Sequence, residues 1–248
     1  MEISLLDGKV YESTPEKIQV NQSSLSTAYE TLNEKFTDAE GAVITQPFVK
    51  LYANTILPSS TSPTYLRWSV EEAYLLSPTD FPDPFGVIPP PCFIVQNADP
   101  QRIVLYNGLE FPTEVINRQL IASRIIDFSF QERHYFTSYQ TSLTKEAHEY
   151  WRKVNILANQ VGSIFDTPPA EITGNIINEN NNSEKTVGYF QAVNETYDRF
   201  FLLPSFLPFF IGAEVCTFNG SFNPNDYPAR CIDCLTLRNS SFTRPEWF

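Results

Sequence analysis

The sequence is short of histidine, of glycine and of positive charge, and each shortage removes a class of function. Only His134 and His148 occur among 248 residues, so chemistry that needs several imidazoles has little to draw on. Nine glycines against 19 prolines leave few positions for phosphate-cradling loops, and no P-loop, G-x-G-x-x-G or G-x-S-x-G motif occurs. Seventeen Lys and Arg stand against 29 Asp and Glu, a net charge of −12. Such a chain repels nucleic acid, whose phosphates call for a basic footprint. No run approaches the roughly 20 apolar residues of a membrane-spanning helix. The first residues also carry none of the parts of a secretory signal.

What is present favours strands. Aromatic residues make up 14% of the chain, and they suit pleated, half-buried surfaces. Glu2 to Tyr11 reads as a hairpin turning at Asp7-Gly8, and a hairpin opening at once reads as the end of a larger unit. Residues 21–40 are polar and read as a connection or peripheral strand. Ala42–Thr45 and Val49–Ala53 are short strand candidates parted by Pro47. Tyr65–Tyr74, Cys92–Val95 and Arg102–Tyr106 read as further strands, and six prolines between Pro78 and Pro91 demand an extended loop. Gln119–Phe130 and His134–Leu143 read as a strand pair. Thr186–Val193 and Arg199–Leu203 resume strands.

The spacing predicts one amphipathic helix over about 145–160, with Thr144 as N-cap and Glu146 in the first turn. Its stripe is Ala147, Tyr150, Trp151, Val154, Leu157 and Val161. About ten short strands and a single helix point to a mostly β fold, a β-sandwich or barrel-like domain with the helix packed on it.

Candidate sites are few. The cysteines are Cys92, Cys216, Cys231 and Cys234. Cys231-Ile232-Asp233-Cys234 is a C-x-x-C, but it lies in a Pro-rich tail rather than at a helix start, where a dipole would lower a thiol pKa. Two disulfides are the simplest use of four cysteines in an exported protein, and three pairings remain open. His148-Glu149-Tyr150-Trp151-Arg152 starts like a zincin helix, yet Arg152 stands where the second His would be and repels a metal. His134 in its strand reads as a core or surface residue. Glu71/Glu72, Asp80/Asp83 and Glu132 are nominees for a carboxylate pair, and Asp80–Asp83 and Asn223–Asp226 for Ca²⁺, without an EF-hand spacing. No catalytic residue, cofactor or metal is therefore assigned. The stretch Arg199–Ile211 reads mainly as a strand turning into the core, with Tyr197, Phe206, Phe209 and Phe210 as a possible contact surface.

Several segments occur together in a familiar order. They are Leu6–Ser13, Tyr65–Trp68, Ser142–Trp151, Ile164-Phe165-Asp166-Thr167-Pro168-Pro169 running on to Gly174-Asn175-Ile176, Val187–Ala192, Cys231–Cys234 and Arg244–Phe248. In these the chain resembles the second, C-terminal part of the domain of unknown function 4249, a family of predicted exported lipoproteins of Bacteroidetes. The resemblance implies a preceding immunoglobulin-like domain, of which residues 1–20 would be a hairpin remnant, and a single mostly β domain over 21–248. It also implies a lipid-anchored, extracytoplasmic location at the outer membrane, in the periplasm or at the cell surface, beside a TonB-dependent receptor. The expected function is a non-enzymatic binding or assembly module accessory to nutrient uptake. A glycan- or peptide-acting hydrolase using paired carboxylates and a structural adhesion module are the alternatives.

Overall fold

The computed structural model describes residues 1–20, 23–37, 41–59, 63–76, 90–159, 172–181, 183–209, 211, 220–221 and 223–248. The expected hairpin is there. Strands β1 (Glu2–Ser4) and β2 (Val10–Ser13) pair antiparallel around Gly8, whose φ of +85° lies in the region that favours glycine. Its third strand comes from far along the chain: β10 (Ile176–Asn178) pairs with β2, Ile176 opposite Ser13.

A second three-stranded sheet runs β3 (Ser24–Thr37), β4 (Val43–Ile56) and β8 (Val115–Ile125). Of the two readings of the polar stretch 21–40, the peripheral strand is the one found, as a 14-residue edge strand. The parting of two short strands at Pro47 is corrected, since Pro47 does not break β4. The carbonyl of Pro47 accepts from Ile126 N at 2.8 Å, just where β8 ends. A strand residue's N–H and C=O point to the same side, so the missing donor faces that end and leaves the β3–β4 ladder whole.

The third sheet is the largest. Its order is β11 (Glu195–Leu202), β9 (His134–Ser142), β5 (Tyr65–Leu76), β6 (Cys92–Asn97) and β12 (Ser240–Ser241), with β7 (Val104–Asn107) also on β5. Strand β5 is its spine: β9 lies along one edge, and β7 then β6 along the other. The predicted pairing of 119–130 with 134–143 is wrong, because β8 pairs with β4 while β9 pairs with β5 and β11. The link between them crosses from one sheet to the other through a 3-10 turn, Phe128–Phe130, whose first N–H groups are capped by Asp127. Thr186–Val193 forms no strand.

These two sheets face each other as a sandwich. Leu66, Trp68 and Val70 of β5 and Phe136 of β9 meet Val49, Leu51 and Ala53 of β4 and Ile121 of β8, all buried. The alternation of inward residues along each strand makes this possible. Burying each large side chain of this kind is worth about 1.5–3 kcal/mol. One buried polar side chain in this core makes three hydrogen bonds. Gln140 Oε1 accepts from Thr55 Oγ1 (2.6 Å) and Trp68 Nε1 (3.0 Å), and its Nε2 donates to Ser23 Oγ (2.6 Å). The fold is the mostly β sandwich expected, with its sheets open rather than closed into a barrel.

Helix α1 (Lys145–Asn159) begins where the sequence places it: Thr144 Oγ1 accepts from Ala147 N at 3.1 Å. Only its first half is anchored. Ala147 and Trp151 pack with Tyr65, Leu105 and Leu143, whereas Leu157 is exposed, so the predicted apolar stripe is only partly used. Val161 lies outside the described residues.

Candidate functional site

A cleft of about 880 Å³ opens where the extended segment 14–20, the start of α1 and the stretches around Gly174 and Tyr189 converge. Several of the segments that carried the family resemblance line it, together with residues 14–20. Gly174 passes so close to Gly188 that a Cβ on it would lie 1.5 Å from the Gly188 carbonyl oxygen. The next residue, Asn175, clamps the second segment by its backbone: Asn175 Nδ2 donates to Phe190 O and Phe190 N donates to Asn175 Oδ1, both at 2.8 Å. Asn175 O accepts from Thr14 N at 2.9 Å, which ties the N-terminal segment to the same place. One residue beyond Phe190, Gln191 Oε1 accepts from Trp151 Nε1 of α1 at 2.8 Å.

At the meeting point is Glu16. Its Oε1 accepts from the Tyr189 hydroxyl and from Asn175 Nδ2 (3.3 Å), and its Oε2 accepts from Thr144 Oγ1 (3.2 Å). Thr144 is the N-cap of α1, so the carboxylate lies at the end of the helix where partial positive charge favours it. Burial and the hydrogen bond to Glu16 push the Tyr189 hydroxyl up to about 12, so it remains a donor at neutral pH. Around this fixed centre the walls carry Lys17, Lys145 and Lys153 together with Glu146 and Glu149. The result is a cleft with both signs of charge over an aromatic floor of Tyr65, Tyr150 and Tyr189, suited to a ligand with polar groups spread along it.

The residues nominated from sequence lie elsewhere. Cys92 is bonded to Cys234, with Cα atoms 5.9 Å apart. Cys231 is also disulfide-bonded, so C-x-x-C is not a redox pair. Cys216 lies outside the described residues, as do Phe210 and Asp80/Asp83. Tyr197 and Phe206 are exposed, while Phe209 packs against the core. Glu71 and Glu72 point to opposite faces of β5, as neighbours on a strand must. Asp226 is bonded within its own turn by Ser221 and Asn223. Among the described residues no cluster of His, Cys, Asp or Glu could hold a metal, and no helix is long and apolar enough to cross a membrane.

Glu72, nominated with Glu71 for a carboxylate pair, and His134, read as a core or surface residue, form a second constellation. Glu72 Oε2 accepts from Arg124 Nε (2.8 Å) and lies 3.1 Å from His134 Nε2, and Oε1 accepts from Gln96 Nε2 (2.7 Å). His134 Nδ1 donates to Ser129 O at 3.1 Å, and its ring is stacked on Phe130 at 3.9 Å. Burial pushes the Glu72 carboxyl up, but His134 and Arg124 more than offset it and hold it below the ordinary value. Both His134 and Glu72 are sealed from solvent, so this constellation joins elements rather than meeting a ligand.

A family model described as a domain of unknown function (DUF4249) matches residues 1–199. The chain belongs to that family. The match covers the cleft, α1 and the hairpin; the cysteine-bearing tail lies beyond it. No curated protein and no solved structure matches the chain. Glu16 is the central residue that sequence reasoning missed, one charge in a featureless polar stretch. Gly174, Asn175 and Tyr189 were visible only as parts of the family segments.

Proposed function

We propose that this DUF4249 chain is an extracytoplasmic binding or assembly module that works beside a TonB-dependent outer-membrane receptor, with the cleft as its capture site. One observation carries the reading: the segments that characterise the family converge on the cleft and fix its walls through Glu16, Asn175 and Tyr189. The Cys92–Cys234 disulfide supports an oxidising, extracytoplasmic compartment. In this reading a lipid anchor holds the protein at the outer membrane.

The test is co-purification of the full-length lipoprotein with the receptor encoded beside it. A stable complex, weakened at least tenfold by Lys145→Glu with Lys153→Glu, is the expected result. If Tyr197→Ala with Phe206→Ala weakens it instead, the exposed aromatic residues are the contact surface and the cleft is not. Failure of any complex to form would refute the receptor role. A hydrolase is the second reading, because Glu16, Glu146 and Glu149 share the cleft. Both oxygens of Glu16 are already occupied and Glu149 is paired with Arg152 at 2.9 Å, which favours binding over catalysis. Release of cleaved product from glycan or peptide libraries would reverse that preference.

A further inference from the structure

Helix α1 presents a second row of polar side chains on a different side from the cleft. His148, Arg152 and Asn155 recur at i, i+4 and i+7, so they stand one above another along the helix. All three line a groove of about 720 Å³, whose opposite wall includes Leu105 of β7 and Ile116 and Leu120 of β8. A row of polar side chains facing an apolar patch, with Glu110 and Gln119 also on the lining, is the arrangement of a small-molecule site.

His148 is the informative member. Only 3% of it is exposed, its ring packs on Tyr65 at 5.2 Å, and its Nδ1 has no hydrogen-bond partner. Burial lowers its pKa, so the ring is neutral at pH 7 and carries one proton. A proton on Nδ1 would be a buried donor with nothing to bond, which costs free energy. The tautomer that avoids this places the proton on Nε2, which also makes no hydrogen bond among the described residues. Arg152 engages Glu149 through Nε and Nη2, with Nη1 outside that pair. His148 Nε2–H and Arg152 Nη1 are therefore the donors left free on the groove, with Glu110 the carboxylate on its lining.

We propose that this groove binds an organic acid with an apolar body, its carboxylate accepting from His148 Nε2–H and Arg152 and its body lying on Leu105, Ile116 and Leu120. The remnant of a zincin-like spacing thus becomes an anion-binding row, with Arg152 in place of a metal ligand. The proposal does not depend on the cleft or on a receptor.

Titration with octanoate and phenylacetate, each against its uncharged alcohol, followed by NMR of the histidine rings and arginine side chains, tests it. The expected result is that at least one acid shifts His148 and Arg152 and binds at least tenfold more tightly than its alcohol. Arg152→Gln, at an exposed position, should remove that preference while leaving alcohol binding unchanged. His148→Asn should weaken the acid further if it folds, and the Arg152 variant decides the matter if it does not. The proposal is overturned if acid and alcohol bind alike, if the shifts fall on Tyr189 in the cleft, or if neither acid binds.

Discussion

Gly174 leaves no room for a side chain. With a Cβ at 1.5 Å from the Gly188 carbonyl, Gly174→Ala must push two backbone segments apart. The expected cost is about 3 kcal/mol, at the upper end for overpacking, measurable as a lower urea midpoint with unchanged slope. Because Asn175 and Tyr189 flank the collision, the cleft should lose its ligand even under conditions where the variant stays folded. In the sequence this glycine reads as permission for a turn; its real constraint is a neighbour 14 residues away that no local pattern announces. The same holds for Glu16, whose role depends on Thr144, Asn175 and Tyr189 arriving from three other segments.

At the scale of elements, the sandwich sheets are joined by a buried ionic tie, since Arg124 belongs to β8 and Glu72 to β5. Burial raises the carboxyls of both Glu72 and Asp127, but Arg124 and their hydrogen bonds hold each below its ordinary value of 4.5 or 3.8. The unfolded chain therefore takes up these protons more readily than the folded one. The stabilisation is fully present above about pH 4.5 and is lost as pH falls through the lower folded values. Glu72→Gln should cost about 3 kcal/mol at neutral pH by leaving Arg124 and His134 short of a partner. It should also flatten the fall in melting temperature below pH 4.5; a fall as steep as in the parent would disprove the assignment. Elements whose signals are local were legible: the Asp7-Gly8 hairpin, β5, and α1 with its Thr144 cap. Those set by partners were not. β3, a half-solvated edge strand with no strong apolar alternation, reads in the sequence only as a connection or peripheral strand, and β8 and β9 are neighbours in sequence that join different sheets.

For the molecule as a whole, the Cys92–Cys234 bridge spans 142 residues and attaches the tail to β6. In the chain-entropy account a loop of that size is worth about 4–5 kcal/mol. Replacing both cysteines by alanine should lower stability by up to that amount in chemical denaturation, with the cleft still able to bind. Composition indicated strands, and the count of short strands and one helix a sandwich or barrel, but the bridge was one of three pairings until the sheets placed β6 beside the tail.

Strand β2 waits for β10, and Glu16 waits for Tyr189, partners 173 residues apart. Contacts this distant in sequence slow folding, because a long loop must close before they contribute. Most of the chain must therefore be available before the cleft can exist. During synthesis from the N-terminal end, the cleft stays unformed until the stretches around Gly174 and Tyr189 have been made. The cleft is thereby a late product of folding, set by topology alone.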